Sequence, residues 1–345
     1  MRIGINGFGR IGRAIARINL EKEKFEIVAI NDINPDINNM AYLLKYDSTY
    51  GRLKLPVEVN GNTISMNGNG NISIYHKEKI EEVPWEEHDV DIIIDCSGIK
   101  RNLGVYPDLK AKGIRHCVIT NSPNGEDCDY RSIIMGVNED TLTREDYLIS
   151  SSICDANAFV PAMNLLDEHF GIDHGFVTTL HPWLGYQNLL DGPSLSVSDP
   201  GSIHSTYVLG RSSINAMIPK TTTCVSASSK VLPWIAERFL NLSYRVPTSI
   251  VSSADISVKL KNPVTRDDVI NVFEEAEKNQ TFNVFHNNDE ALTSVDFTGF
   301  DCSAVVDHRW TMVNQDAYCK MILWYDNEWG YSCRVVDLVS YLDNI

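Results

Sequence analysis

The chain has 345 residues, of which 43% are hydrophobic and 22% charged. A domain usually has roughly 100–200 residues, so the length predicts about two domains, and the composition excludes a largely disordered or fibrous chain. Lysine and arginine number 30 against 46 aspartate and glutamate residues, and the resulting net charge of −16 disfavours binding to nucleic acid or anionic lipid.

No apolar run reaches the roughly 18 residues that a membrane span requires, because Asp91, Asp95 and Gly98 interrupt the segment 90–99. The first residues enter a strand-like pattern directly and lack the apolar centre of a signal peptide, which predicts a cytoplasmic protein. The eight cysteines form no C-x-x-C pair and no cluster at metal-ligand spacing. We therefore expect mostly buried thiols, with neither disulfides nor a metal site. These cysteines are Cys96, Cys117, Cys128, Cys154, Cys224, Cys302, Cys319 and Cys333.

The first 150 residues alternate short β-branched segments with amphipathic stretches, a pattern typical of a doubly wound parallel sheet with helices on both faces. Apolar residues recur at spacings of three and four over 10–20, which predicts a helix. Residues 56–76 are punctuated by glycines and predict an antiparallel insertion or meander. The predicted strands are 2–6, 26–31, 91–96, 116–120 and 148–150.

After Cys154 the pattern changes to that of an α+β domain. The stretch 182–210 has little periodicity, and so long an irregular segment usually carries function or an interface. The predicted helices are 157–169, 227–240, 265–278 and, closing the chain, 331–342. The predicted extended segments are 175–181, 255–260, 308–313 and 317–325.

The segment that follows the first predicted strand is a G-x-G-x-x-G motif formed by Gly7, Gly9 and Gly12. Glycines at these positions let the backbone turn tightly against a pyrophosphate at the start of a helix. Asp32 follows the second strand, twenty residues after the motif, where a carboxylate accepts ribose hydroxyls and repels the extra phosphate of NADP. The combination predicts NAD as the cofactor, against the simpler interpretation of a tight structural turn.

Cys154 stands at the junction of the two predicted domains, just before a helix. At the first turn of that helix, the free amide groups and the helix dipole would favour a thiolate. His181 ends an extended segment 27 residues later and is a candidate partner, either in a thiolate–imidazolium pair or as a general base. Taken singly, a cysteine or a histidine at such a position is more often structural than catalytic.

Several longer motifs resemble the glyceraldehyde-3-phosphate dehydrogenase family, and the resemblance covers nearly the whole chain in order. The motifs are INGFGRIGR at 5–13, MAYLLKYDS at 40–48, SSSICDANA at 150–158, DGPS at 191–194, KVLP at 230–233, YRVPT at 244–248 and WYDNEWGYS at 324–332. The resemblance implies a Rossmann domain over 1–153, a catalytic domain over 154–326 and a C-terminal helix, 327–345, packed back on the first domain. It also implies a homotetramer.

The same resemblance implies roles for individual residues. Cys154 would add to an aldehyde, and His181 would be its base, giving a thioester after hydride transfer to NAD. Asn327 would hold the nicotinamide carboxamide. The residues expected around the pyrophosphate are Gly7, Gly9, Arg10, Ile11 and Gly12, and those lining the cofactor cleft are Ser97 and Thr120.

The chain departs from the family pattern beside the nucleophile, where Ile153 and Asp155 replace a serine and a threonine that help inorganic phosphate attack the thioester. A carboxylate about 4 Å from an incoming anion costs on the order of 4 kcal/mol at an effective dielectric of 20. Asp155 could instead point away and cap the helix. Phosphorolysis as the family performs it is therefore in question.

Further departures concern the substrate pocket. Leu184 replaces a phosphate-binding threonine, and Trp183 beside it adds bulk, which together predict a reshaped pocket. Thr222 matches a family threonine, but Thr223 replaces a glycine. Arg245 remains as the family's anchor for the substrate's phosphate. Arg211 and Lys220 are candidates for additional positive charge.

These observations favour an NAD-dependent aldehyde dehydrogenase that acts on a small phosphorylated or otherwise anionic aldehyde. One alternative is an enzyme that releases the acyl group to water, with Asp155 orienting the water. A second, of another class, is an NAD-binding homologue without catalysis that acts as an interaction or regulatory protein.

Overall fold

The structure is a computed structural model that describes residues 1–68, 70–123, 129–315 and 317–345. These residues form 19 strands and eight α-helices. The strands are β1 (Arg2–Asn6), β2 (Glu26–Asn31), β3 (Tyr46–Asp47), β4 (Gly51–Arg52), β5 (Val57–Asn60), β6 (Thr63–Met66), β7 (Ile72–Tyr75), β8 (Ile92–Asp95), β9 (His116–Ile119), β10 (Arg131–Ser132), β11 (Leu148–Ser150), β12 (Ile172–Pro182), β13 (Ile218–Lys220), β14 (Phe239–Val246), β15 (Ser252–Leu260), β16 (Phe285–Asn288), β17 (Ala304–Asp307), β18 (Met312–Asn314) and β19 (Tyr318–Tyr325). The helices are α1 (Arg10–Lys22), α2 (Ile37–Lys45), α3 (Tyr106–Ala111), α4 (Cys154–Phe170), α5 (Cys224–Ser228), α6 (Ile235–Arg238), α7 (Arg266–Asn279) and α8 (Trp329–Leu342).

The first sheet has the order β10-β11-β9-β8-β1-β2-β7-β6-β5 within the described residues. Its strands are parallel from β10 to β7 and antiparallel over β7, β6 and β5, so the predicted insertion is a meander that extends the sheet. Strand β1 lies between β2 and β8, so the chain continues from this central strand to one side of the sheet and later to the other side. A crevice forms at the carboxyl ends of the strands at such a point, which is where doubly wound proteins bind ligands.

Both faces of this sheet are buried. One face packs against α1, α2 and α8, with Ile5 and Ile15 of the first residues in the same core as Val336 and Leu338 of the last helix. The opposite face packs against α3 and the segment around Trp85. The chain's end therefore completes the core of the sheet formed by its beginning.

The second sheet has the order β13-β14-β12-β15-β19-β17-β16 in the described residues, with β18 paired to β19. It is mixed, since β12 is parallel to β14 and antiparallel to β15. Helices α4 and α7 cover one face through a core that includes Phe159, Phe239 and Phe273. In the parallel pair, His181 of β12 lies opposite Arg245 of β14, which places two polar side chains side by side at one sheet end.

Two predicted elements are wrong. The helix expected over 227–240 is instead two short helices, α5 and α6, followed by strand β14, because Pro233 lacks an amide hydrogen and 239–246 alternates between buried and less buried positions. The strand expected over 308–313 begins instead with a 3-10 turn, His308–Trp310, and only its last two residues belong to a strand, β18. The sequence also did not predict α2, α3, β13 or β16.

The seven described cysteines are all free, and five of them are buried, which confirms the expectation of buried thiols for those five. Cys96 and Cys154 are partly exposed, and Cys128 lies outside the described residues. None of the helices in the described part of the chain is both long and apolar enough to cross a membrane.

Candidate active site

The glycine turn after β1 is shaped by close backbone packing. Gly7 has φ +89°, and a Cβ there would lie 2.7 Å from the amide nitrogen of Ser97. A Cβ on Gly12 would lie 2.3 Å from the carbonyl oxygen of Gly7. Gly9 is different, because no described atom outside Gly9 and its two neighbours in the chain lies within 4 Å of its Cβ position. Two glycines thus serve the packing of the turn, and the third leaves open space at the start of α1, where a pyrophosphate fits.

Asp32 and Asn327 present acceptors that suit the two ends of a dinucleotide. Asp32 accepts the amide hydrogens of Phe8, at 2.6 Å, and Asn34, at 2.8 Å, and a carboxylate retains lone pairs for ribose hydroxyls. The side-chain oxygen of Asn327 is buried and has no hydrogen-bond partner among the described residues. A buried unpaired amide oxygen is costly, and a carboxamide donor would satisfy it. The residues present therefore fit NAD.

The other predicted cofactor residues surround the same crevice. Ser97 and Thr120 stand at the carboxyl ends of β8 and β9, and both bind Asp95, through its carboxylate and its carbonyl oxygen respectively. Ile11 packs against the first core. The guanidinium of Arg10 forms ion pairs with Asp47 and Glu328, so this side chain is already engaged. The group of Arg10 that would face an anion is its backbone amide at the start of α1.

Asp95 is a feature of the crevice that the sequence analysis did not identify. Its buried carboxylate accepts hydrogen bonds from Asn6, Ser97, Asn102 and Tyr106 at 2.6–3.0 Å. These bonds join the ends of β1 and β8 to the segment before α3. The only available signal was an aspartate at the end of a buried strand.

The pair of Cys154 and His181 is assembled from two elements. Cys154 is the first residue of α4, four residues beyond the carboxyl end of β11, and His181 is near the end of β12. Sγ of Cys154 lies 3.7 Å from Nε2 of His181. Nδ1 of His181 lies 2.9 Å from the carbonyl oxygen of Pro182, which can only accept, so Nδ1 carries the proton and Nε2 presents a lone pair to the thiol.

Asp155 faces the thiol and does not cap α4. It is only 6% exposed, and no side-chain bond caps the helix. One carboxylate oxygen accepts the hydroxyl of Tyr325 at 2.8 Å and the thiol of Cys154 at 3.5 Å, and the other accepts the hydroxyl of Thr222 at 3.2 Å. The polar atoms of Cys154, Asp155 and His181 all lie within 4.8 Å of one another. Tyr325 was not identified from the sequence.

The environment favours neutral forms of the pair. Burial and the neighbouring Asp155 raise the pKa of Cys154 well above its usual value, against a smaller opposing effect of Arg245. Burial and the positive charge of Arg245 lower the pKa of His181 to about 4. Of the two roles that the sequence left open for His181, this electrostatic setting favours a general base over a resting ion pair.

A cavity of about 550 Å³ opens beside the pair. Lys220 and Arg245 both line it, and burial, together with the like charge of Arg245, lowers the pKa of Lys220. The structure gives the side-chain ammonium of Lys220 no hydrogen bond among the described residues. Nε of Arg245 is buried without a partner there, while its terminal nitrogens donate to Pro182 and Tyr186. Two adjacent cations with unused donors suit a bound anion.

Other candidates lie elsewhere. Arg211 forms an exposed ion pair with Asp191, at 2.7 Å, and is not among the described residues that line the cavity. Trp183 and Leu184 are also absent from that described lining, while Thr222 and Thr223 are part of it. The structure thus brings Thr222 and Arg245 to the cavity with Cys154, and leaves Arg211 outside it.

The crevice and the reactive pair adjoin, since Asn327 follows two residues after Tyr325, which binds Asp155. A glycine turn with open space for a dinucleotide, together with a cysteine 3.7 Å from a histidine, is compatible with the class of nicotinamide-dependent dehydrogenases. Family models agree: "Glyceraldehyde 3-phosphate dehydrogenase, NAD binding domain" matches residues 1–103, and the C-terminal domain of the same family matches 153–327.

Curated relatives match the chain almost from end to end. The cytosolic glyceraldehyde-3-phosphate dehydrogenase of Gracilaria gracilis is 34% identical over 99% of this chain and 98% of its own. Glyceraldehyde-3-phosphate dehydrogenase 2 of Bacillus subtilis is 34% identical over 99% and 96%, and the Eremothecium gossypii enzyme is 34% identical over 99% of both chains. The chain belongs to the glyceraldehyde-3-phosphate dehydrogenase family of NAD-dependent dehydrogenases, and NAD is its cofactor.

Proposed function

We propose that this protein oxidises a small phosphorylated aldehyde with NAD, through an acyl group bound to Cys154. The observation that carries the proposal is the 3.7 Å approach of Sγ of Cys154 to Nε2 of His181, at a cavity that also holds Lys220 and Arg245. The relatives are named for glyceraldehyde 3-phosphate, which makes that aldehyde the first substrate to test.

The first step forms the covalent bond. Nε2 of His181 takes the thiol proton as Sγ of Cys154 attacks the carbonyl carbon, and the proton then passes to the carbonyl oxygen. A neutral base suits this step because the thiol is protonated at rest. The product is a neutral thiohemiacetal, with His181 returned to its neutral form.

The second step is the oxidation. When NAD is bound, its nicotinamide ring supplies the acceptor for a hydride. Nε2 of His181 takes the hydroxyl proton as the hydride leaves the carbon, so the chain is left with a thioester on Cys154 and a protonated His181. Asn327, through its unpaired amide oxygen, would hold the carboxamide, and the backbone at Gly9 and Arg10 would face the pyrophosphate.

Recognition of the substrate rests on charge. Arg245 and Lys220 would bind its phosphate group, because both face the cavity and have donors without partners. Asp155 contacts the thiol and binds Thr222, and both residues line the cavity, where they would contact the aldehyde's carbon chain. Arg211 remains a predicted substrate ligand, and its ion pair with Asp191 would have to open for that role.

Rapid mixing with glyceraldehyde 3-phosphate and NAD tests the proposal. We expect a burst of one NADH per active site, no burst from Cys154→Ser, and a burst roughly 100-fold slower or more from His181→Asn. Arg245→Ala should raise KM for the phosphorylated aldehyde but not for glyceraldehyde, with Arg211→Ala as the comparison. Absence of NADH with every aldehyde tried would refute the proposal.

We further propose a cytoplasmic homotetramer. Support comes from a relative named as cytosolic and from apolar side chains exposed along the irregular segment 182–210, including Leu190 and Tyr207. The seven free cysteines suit a reducing compartment. Light scattering on the purified protein should return four times the mass of one chain, and a monomer would contradict the assignment.

We also propose the division of the chain into a dinucleotide-binding domain (1–153), a catalytic domain (154–326) and a returning helix (327–345). The separate cores of the two sheets support it. Limited proteolysis with and without NAD tests where the boundaries lie.

A further inference from the structure

Asp155 has a hydrogen-bonding arrangement that changes when Cys154 is acylated. Its carboxylate accepts three donors, the hydroxyls of Tyr325 and Thr222 and the thiol of Cys154. An ionised carboxylate has about four lone-pair sites. Acylation replaces the thiol hydrogen with an acyl carbon. The lone pair of Asp155 that accepts this hydrogen, on the carboxylate oxygen 3.5 Å from Sγ, then loses its donor. Water is the natural replacement.

We propose that water releases the acyl group, with Asp155 as its general base and a free carboxylic acid as the product. The inference rests on the proposed function, because it needs the acyl group on Cys154. A water bound to Asp155 at the vacated site would lie beside the carbonyl carbon attached to Sγ. The reaction takes place at the acyl carbon, and the substrate's own phosphate group is left unchanged.

Hydrolysis of the thioester needs a base for the attacking water and an acid for the departing sulfur. The water oxygen forms a bond to the carbonyl carbon while one water proton moves to Asp155. The tetrahedral intermediate then collapses, the carbon–sulfur bond breaks, and the leaving thiolate takes the proton that His181 gained during oxidation. His181 is thus occupied as an acid at this stage, and Asp155 is the remaining base in contact with the sulfur. Asp155 finally releases its proton to solvent.

The same contacts disfavour phosphate as the acceptor. An anion beside the thioester needs hydrogen-bond donors, but the hydroxyls of Tyr325 and Thr222 donate to Asp155. On the other side of Cys154, the side chain of Ile153 has no polar atom. A carboxylate next to the sulfur also repels a phosphate dianion. The cations of the cavity, Lys220 and Arg245, are already assigned to the substrate's own phosphate.

Burst kinetics separate this proposal from the proposed function. The wild-type protein is mixed with glyceraldehyde 3-phosphate and NAD in phosphate-free buffer, in the same buffer with inorganic phosphate, and in water enriched in ¹⁸O. We expect sustained NADH production that changes less than twofold with phosphate, and one ¹⁸O atom in the acid beyond the label that the aldehyde oxygen acquires by exchange with water. Asp155→Asn should still reach a burst amplitude of one NADH per site, whatever the rate of the burst, and then turn over roughly 100-fold more slowly.

The burst amplitude also reports whether Asp155→Asn is folded and active in oxidation. Glu168→Gln, on an exposed acid at the other end of the same helix, is the matched control and should behave as wild type. Turnover that stops after one NADH and resumes only with phosphate overturns the proposal and leaves the proposed function intact. Equal steady-state rates for Asp155→Asn and wild type also overturn it. No NADH in any arm removes the proposed function itself.

Discussion

Asp155 and Arg245 act on Cys154 with opposite charge. Asp155 contacts the thiol directly and accepts its hydrogen, whereas Arg245 lies across the cavity on the strand beside His181. Burial, together with the direct contact with Asp155, outweighs the effect of Arg245 and raises the pKa of Cys154 well above its usual value. A catalytic cysteine is normally activated by lowering its pKa. Under the proposed function the activation therefore falls to His181, whose lowered pKa keeps it neutral and able to take the thiol proton.

Removing the charge at position 155 should therefore make the resting thiol more reactive. Asp155→Asn removes the anion that disfavours the thiolate, so the pKa of Cys154 falls and its alkylation at a fixed pH accelerates by about tenfold for each unit. Iodoacetamide labelling between pH 6 and 10 measures this shift. The same variant slows deacylation under the proposal above, so one substitution speeds one reaction and slows another.

Glu168→Gln provides the comparison for alkylation as well, because it removes an acid without altering the site. An unchanged labelling profile for Asp155→Asn would mean that burial alone raises the pKa of Cys154. Cys154→Ser identifies the labelled position.

The sequence was informative about residues whose chemistry is tied to a motif or a position in the chain. Cys154, His181 and Asp32 were predicted from their places beside a helix or a strand end. Tyr325 was not, because nothing in a strand's last residue shows that its hydroxyl crosses to a carboxylate 170 positions earlier. Asp155 was noticed, but its orientation depends on that same long-range contact.

Asp32 allows a test of cofactor choice. Asp32→Asn keeps an oxygen that can accept the amide hydrogen of Phe8 but removes the charge that repels an additional phosphate. We expect the ratio of kcat/KM for NADP to that for NAD to rise roughly tenfold or more. Steady-state kinetics with both cofactors measure the ratio. Asp36→Asn, at an exposed helix cap nearby, should leave it unchanged.

At the scale of elements, two glycines in the turn between β1 and α1 have different roles: Gly12 serves packing, and Gly9 serves ligand binding. Gly12→Ala brings a Cβ to 2.3 Å from a carbonyl oxygen, so it should destabilise the protein with or without NAD. Gly9→Ala meets no described atom within 4 Å, so it should leave the melting temperature of the free protein nearly unchanged. It should still weaken NAD binding, because the methyl group occupies the space of the pyrophosphate.

Thermal unfolding and NAD titration of the two variants distinguish these effects. Equal destabilisation of the free protein by both substitutions would contradict the assignment of open space at Gly9. Normal NAD binding by Gly9→Ala would show that the pyrophosphate does not approach this glycine.

Sequence periodicity predicted the parallel strands well and the second domain less well, for a physical reason. Strands β1, β2 and β11 are buried on both faces and form short apolar segments with clear ends, so their bounds match the prediction. Strand β14 has exposed leucines at positions 240 and 242, and its apolar residues therefore do not mark one face. The apolar stretch before Pro233 then resembled the start of one long helix.

At the scale of the whole molecule, the last helix joins the two ends of the chain. Helix α8 packs into the core of the first sheet, although it follows directly from β19 of the second. Periodicity alone predicted a helix there but not its partner, which only the resemblance implied. The second domain is thus bounded on both sides by segments of the first, and neither should unfold independently of the other.

Val336→Ala tests this coupling. Val336 is fully buried among residues of the first core, and losing two buried methyl groups there should cost about 1.5–3 kcal/mol of unfolding free energy. Val295→Ala, at a position 71% exposed in the second domain, is the matched control and should change stability by less than about 0.5 kcal/mol. Because Trp183, Trp234, Trp310 and Trp324 all lie in the second domain, tryptophan fluorescence follows mainly that domain, while circular dichroism follows both.

If the two domains are coupled, the urea midpoints measured by fluorescence and by circular dichroism should both shift in Val336→Ala. If fluorescence kept its wild-type midpoint while circular dichroism moved, the returning helix would stabilise only the first domain.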